Sequence, residues 1–373
     1  FSGSQTVLGK HLLQLTGSFG KDFTPLAQWI YNYVYDGTTP INIWLEYEKE
    51  PSCQLQLRIQ FFQSGAIGDL VKEIIYSEDD LKEPILLDEF ERYYLAFCLE
   101  AKGEGELKIG ALHKRYSHGP FGEMTVGAQT LRDSKRQEIF AYFHPGDMKP
   151  PLNIYFSGYR PAEGFEGFVM MRRMGSPFIL FSDPRLEGGS FYMGSQELED
   201  QIVAYIDQYL DWLGFGPKEM NFSGLSMGTF GALYYGSSYS PHAILVGKPI
   251  VNLGDVAANL KFKRPDEFGT SLDMMQLLVG QVSREGIDLL NQRFWDRFNQ
   301  ADLKDTILAM AYMRDDDYDQ LAYPKILEAL YDHPVRIISS SRPGRHNDAS
   351  APIVEWFLTQ YKEIMERDFG RIE

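Results

Sequence analysis

Residues 220–236 read MNFSGLSMGTFGALYYG. A short apolar run with Met220 and Phe222 leads into Gly224-Leu225-Ser226-Met227-Gly228, and a helix-compatible run rich in Ala, Leu and Tyr follows. The spacing is G-x-S-x-G, the pattern of a nucleophile elbow in which a serine sits on a tight strand-to-helix turn. Such a turn forces a strained backbone at Ser226, and Gly224 and Gly228 let strand and helix approach without Cβ clashes. The pentapeptide alone also describes a plain glycine-bracketed turn, so its context must supply the rest of a catalytic apparatus.

That context is an alternation of short apolar runs and amphipathic segments from about residue 136 onward. The runs fall at 139–143, 152–156, 178–181, 220–222, 243–246, 307–313 and 335–338. Buried strands separated by helices predict a mostly parallel sheet with helices on both faces, an α/β-hydrolase-like domain over 133–373. The helical stripe is clearest at 196–213, with Ser195 placed to cap it and Gly214 to end it. A last helix is expected near 351–367. The stretch from about 250 to 305 is too long for one crossover and carries helical patterns at 271–280 and 284–299. It reads as a cap inserted over the sheet edge.

The N-terminal third has a different period. Residues 41–48 and 53–61 alternate apolar and polar, as do further runs at 92–99 and 106–112, which predicts an antiparallel β-sandwich over 38–132. Its aromatics suit core packing or a sugar-binding surface. Residues 1–37 read as a helical segment, because Leu8, Leu12, Leu15 and Leu26, Ile30, Val34 have helical spacing on either side of Gly17-Ser18-Phe19-Gly20. A start at Phe1 resembles neither a signal peptide nor a natural start, so the chain reads as a fragment or processed form.

Composition narrows the classes. A formal charge of −16 argues against nucleic acid or an anionic membrane as the main partner, and no apolar run is long enough to span a bilayer. Cys53 and Cys98 make no disulfide framework and favour the cytoplasm. No Cys/His cluster with zinc spacing, P-loop or G-x-G-x-x-G is present, so no permanently bound cofactor or metal is expected.

A serine nucleophile needs a base and an acid that orients it, in the chain order Ser, Asp or Glu, His, each on a loop after a strand. Ser226 follows the 220–222 run, Asp315-Asp316-Asp317 follows 307–313, and His346 follows the strand from about 335 to 341. All three therefore lie at the carboxyl ends of parallel strands, where open α/β sheets bind ligands. Asp316 is the expected acid, three residues past its strand, with Asp315 the alternative. For the oxyanion, the Met227 N–H follows the nucleophile, and the Tyr159 N–H in Ser157-Gly158-Tyr159-Arg160 is the proposed second donor. Ser182-Asp183-Pro184-Arg185 ends a strand on the same face and suits structural capping.

The elbow string GLSMGTFGALYYG, the run HAILVGKPIVNL (242–253), AYMRDDDYD and SSSRPGRHND together resemble one family. It is the second of the three accessory Sec proteins of Gram-positive cocci, which act beside the accessory Sec motor ATPase in exporting serine-rich-repeat glycoprotein adhesins. The resemblance covers 136–370 best, and the family has a carbohydrate-module-like sandwich before its hydrolase domain. It implies a cytoplasmic protein, peripheral at the membrane through the export complex. The implied activity is an O-acetyltransferase that modifies N-acetylglucosamine on the adhesin. The implied partners are the first and third accessory Sec proteins, the motor ATPase and the glycosylated adhesin. By motif match the triad falls on Ser226, Asp316 and His346; the family can use Glu as its acid, which leaves the choice within 315–317 open. Family members begin well upstream of Phe1. An esterase or deacetylase with the same residues, and a non-catalytic scaffold of the export complex, are the competing functions.

Overall fold

The structure is a computed structural model that describes residues 1–29, 33–64, 69–264 and 267–371. It divides into two compact units, Phe1–Ala128 with Ser134–Arg136, and Gln129–Asp133 with Gln137–Glu373.

The first unit is a single antiparallel sheet. Its strands are β1 (Ser2–Leu8), β2 (Leu12–Gln28), β3 (Tyr33–Tyr35), β4 (Ile41–Lys49), β5 (Cys53–Gln63), β6 (Leu70–Ser77), β7 (Ile85–Leu87) and β8 (Tyr93–Tyr116). The 24-residue β8 is its spine. Along one edge β4 pairs from Ile41↔Tyr116 to Lys49↔Leu107, and β5 takes over from Cys53↔Gly103 to Gln63↔Tyr93. Along the other edge β2 runs from Leu13↔Ile109 to Gln28↔Cys98, and β3 continues to Tyr35↔Tyr93. A flat sheet of this register would hold Ile41 and Phe61 roughly 70 Å apart, at about 3.3 Å per residue. They share one core instead, so the sheet is doubled over on itself. The crease runs through Gly103 (φ 95°) and Gly105 (φ 123°) on β8 and their neighbours Gly20 (φ 96°) and Gly17 (φ 150°) on β2, positions where L side chains are strained.

Two expectations change here. The sandwich is one folded sheet, not two separate ones. Residues 1–37 are not helical: β1 and β2 form a hairpin in which Leu8 faces Leu12 and Gln5 faces Leu15. The leucine spacing that mimics a helix is the spacing of a tight turn followed by β alternation. Ile30 lies outside the described residues. Cys53 is buried and Cys98 half-buried, and both thiols are free.

The second unit is an eight-stranded sheet. Its strands are β9 (Ala128–Arg132), β10 (Glu138–His144), β11 (Leu152–Phe156), β12 (Phe178–Ser182), β13 (Met220–Leu225), β14 (Ala243–Gly247), β15 (Ile307–Met313) and β16 (Arg336–Arg342). The spatial order is β9-β10-β12-β11-β13-β14-β15-β16. From β12 to β16 every neighbour pair is parallel, and β10 is antiparallel to β12. Helices α1 (Phe168–Arg173), α2 (Gln196–Leu213), α3 (Met227–Gly236), α4 (Leu253–Lys263), α5 (Ser271–Val279), α6 (Arg284–Phe298), α7 (Ala322–Ala329) and α8 (Ser350–Phe369) complete it.

Strands β11, β12 and β14 are buried at every residue, which is why they read as continuous apolar runs. Helices α2 and α3 share a core with Ile154, Phe222 and Val246. The opposite faces of the same strands meet α8, where the Tyr361 hydroxyl donates to Asn153 Oδ1 at 3.1 Å and Ile353 packs on Ala311 and Met313. Ser195 Oγ accepts from the Leu198 N–H at 3.2 Å and Gly214 (φ 72°) ends α2, as the local sequence predicts. The insertion between β14 and β15 holds three helices, the expected two and α4.

Candidate active site

Ser226 sits between β13 and α3 with φ 51° and ψ −118°, a strained backbone for a residue with a side chain. The flanking glycines are sterically required. A Cβ on Gly224 would lie 2.3 Å from Gly228 O, and one on Gly228 would lie 2.0 Å from Phe156 O. Helix and strand can cross this closely only without side chains at both positions.

The turn aims Ser226 at His346. Ser226 Oγ lies 2.8 Å from His346 Nε2, and His346 Nδ1 lies 2.8 Å from Asp316 Oδ2. The histidine and aspartate are 1% and 6% exposed, so this polar chain is shielded from bulk water. Asp316 Oδ1 accepts from the N–H groups of Tyr318 (2.8 Å) and Asp319 (3.1 Å). Burial works to raise the Asp316 pKa, but the His346 contact and these two amides outweigh it and hold the carboxyl below its ordinary value.

The three consecutive aspartates divide the work of holding the histidine loop. Asp315, the alternative acid, accepts from the Gly344 N–H at 3.1 Å, and Asp317 accepts from the His346 N–H at 3.1 Å. Only Asp316 reaches the imidazole. Asp319 faces the insertion, accepting from Val251 N–H (2.8 Å), Asn252 N–H (2.7 Å) and Asn252 Nδ2 (2.8 Å).

A cavity of about 360 Å³ opens over Ser226 and His346. Met227 and Tyr159, the expected oxyanion donors, both line it. Met227 begins α3, where a first-turn N–H has no intrahelical acceptor. The Tyr159 N–H has no acceptor among the described residues. Asp183 is elsewhere: it is buried in an ion pair with Arg185 (2.7 Å) and accepts from the N–H groups of Ser190 and Tyr192. This is the structural role its position suggests.

Several wall residues were not foreseen. The Tyr318 ring packs on His346 with centroids 4.4 Å apart, and the buried Arg264 guanidinium lies 3.3 Å from the centre of the Tyr318 ring. Glu267 Oε2 accepts from the Tyr318 hydroxyl (3.2 Å) and Asn347 Nδ2 (3.3 Å), and Phe268 stands beside it. The insertion thus supplies three of the described cavity residues, Ile250, Glu267 and Phe268. Lys248, buried after β14, donates to Ser350 Oγ at 3.0 Å; burial lowers its pKa, opposed by the charges of Asp316 and Glu166. Tyr318, two residues past the acid, had a positional signal. The others had none, because their neighbours come from distant segments. No group of three or more His, Cys, Asp or Glu side chains among the described residues is arranged to hold a metal ion.

The accessory Sec system GspB-transporter family matches residues 1–371. The chain belongs to this family. It is 46% identical over 371 residues to accessory Sec system protein 2 of Streptococcus gordonii, covering all of this chain and 73% of that protein. The Staphylococcus aureus protein of the same name is also 46% identical, over 375 residues, with 72% of it covered. A chain of the Glycosylation Associate Protein (Gap123) complex from Streptococcus agalactiae superposes with a TM-score of 0.96 at 40% identity, over 100% of this chain and 72% of that one. Among the described residues no helix is long and apolar enough to cross a membrane.

Proposed function

We propose that this accessory Sec family member is a serine acyltransferase. In this reading it carries an acetyl group on Ser226 to a hydroxyl of N-acetylglucosamine on a serine-rich-repeat glycoprotein during export. The observation that carries it is the continuous chain Ser226 Oγ–His346 Nε2 and His346 Nδ1–Asp316 Oδ2, both links 2.8 Å, at a strained elbow. His346 takes the serine proton as Oγ attacks the acyl carbonyl, Asp316 stabilises the resulting imidazolium, and the Met227 and Tyr159 N–H groups receive the oxyanion. The donor's leaving group departs with that proton. The sugar hydroxyl then gives its own proton to His346 and attacks the acyl-serine, and Ser226 leaves by taking the proton back.

A sugar acceptor suits the walls. Phe268 and Tyr159 offer flat apolar faces for the CH face of a saccharide, and Glu267 offers carboxylate oxygens for its hydroxyls. The acyl donor is a passing substrate, with no resident cofactor. By extension from the Streptococcus agalactiae complex, the partners are the first and third accessory Sec proteins, with the motor ATPase and the adhesin, at the cytoplasmic side of the membrane. A deacetylase reading uses the same residues with water as acceptor, and it draws on the exposure of Glu267 at the cavity mouth.

The test has two arms. Fluorophosphonate labelling should occur in the wild type and vanish in Ser226→Ala and His346→Ala. Acetate release and acetyl-sugar formation are then measured side by side on an N-acetylglucosamine-bearing acceptor. Release without transfer identifies the deacetylase. Unchanged turnover and glycan acetylation in Ser226→Ala would leave only the scaffold role.

A further inference from the structure

We propose that Glu166 is a positioning residue that builds the oxyanion hole. The inference rests on the acyl-transfer reading and concerns how its electrophilic donors are held.

The loop leaving β11 must present one amide to the acyl oxygen, yet it carries several. Glu166 sorts them. Its Oε2 accepts from the Gly158 N–H at 2.7 Å and from the Tyr155 hydroxyl at 2.9 Å, and its own N–H donates to Ser157 Oγ at 3.0 Å. One residue therefore ties the end of β11 to the far end of the loop. With the Gly158 N–H committed to a carboxylate, the next amide, that of Tyr159, is left for the cavity that Tyr159 lines.

The seat is tight on both sides. A Cβ on Gly158 would meet Leu225 O at 3.0 Å and Glu166 Oε2 at 3.2 Å, so the loop lies directly against the residue before the nucleophile. Gly167 (φ 80°) has no room for a Cβ either, because the Tyr155 ring is 2.9 Å away. A shift of Glu166 would therefore be transmitted to Gly158 and Tyr159, not absorbed. A carboxylate this near an oxyanion would oppose catalysis if it stood alone. Buried Lys248 interacts with the charges of both Glu166 and Asp316, which offsets that cost.

The experiment compares Glu166→Ala, Glu166→Gln and Glu166→Asp by steady-state turnover of a chromogenic acetyl ester, thermal midpoint and affinity for an alkyl boronic acid that forms a tetrahedral adduct with Ser226. Removing an oxyanion donor outright costs about 10²–10³ in kcat, so misplacing one in Glu166→Ala should cost about 10–100-fold with KM nearly unchanged. Boronate affinity should fall by the same factor. Gln keeps an acceptor oxygen for both donors and should restore kcat to within about 5-fold. Wild-type kcat in Glu166→Ala, or a loss of kcat with boronate affinity intact, overturns the proposal. Should the alanine chain fail to fold, Glu166→Asp decides, because a carboxylate one methylene shorter must draw Gly158 back. A loss of about 10-fold in kcat is expected, and an unchanged kcat refutes the role. An active Ser226→Ala chain would overturn acyl transfer itself, whereas an inactive Ser226→Ala beside a fully active Glu166→Ala overturns only the role of Glu166.

Discussion

Replacing Asp316 by asparagine separates the charge of this carboxylate from its shape. Asp316 Oδ1 already accepts from the Tyr318 and Asp319 amides, so the carbonyl oxygen of Asp316→Asn keeps that place. Its NH₂ group then faces His346 Nδ1, which must accept instead of donate. The ring is forced into the tautomer that carries its proton on Nε2, pointing at Ser226 Oγ, and it can no longer take the serine proton. The lost charge adds to this. An imidazolium and a carboxylate with charge centres about 4 Å apart attract by about 4 kcal/mol at an effective dielectric constant of 20, which is roughly 10³ in rate. Together the two effects predict a fall in kcat of about 10³–10⁴ with KM changed by less than about 3-fold. The assay is hydrolysis of a chromogenic acetyl ester, with fluorophosphonate labelling rates as a second readout. Asp315→Asn is the control, since an amide oxygen can still accept from the Gly344 N–H. Asp316→Asn within about 10-fold of wild type, or Asp315→Asn equally damaging, would refute this account of the acid.

Three further outcomes follow from the same geometry. Gly228→Ala drives a Cβ to 2.0 Å from Phe156 O, a backbone atom that cannot step aside. It should cost about 3 kcal/mol or more in urea unfolding and abolish labelling of Ser226. Arg185→Met leaves Asp183 buried without its cation and should destabilise by about 3–5 kcal/mol in the same measurement. The third concerns pH. The folded pKa of Asp316 lies below its ordinary 3.8, so its ionised form stabilises the fold above that value, and this contribution is lost as pH falls through the folded pKa. The difference in thermal midpoint between wild type and Asp316→Asn should therefore narrow as pH falls below 3.8 and on through the lower folded pKa. A difference that widens in acid would contradict the sign.

Features written in short-range patterns are legible in the amino-acid order alone. The inner strands β11, β12, β14 and β15 of the second unit are apolar at nearly every residue because both faces are covered, and this marks β11 and β15 to the residue. Helix α2 declares both its ends through Ser195 and Gly214. The elbow glycines and the order Ser226, Asp316, His346 were likewise legible, since each residue closes a recognisable strand. Tertiary structure decided the rest. Three adjacent aspartates are chemically identical until the fold gives one to an imidazole and two to backbone amides. Leucines four apart serve a hairpin as well as a helix, and only the pairing of β2 with β8 chooses between them. Glu166, Arg264 and Glu267 carry no local signal at all, because what each does depends on partners brought close only when strands and insertion pack together.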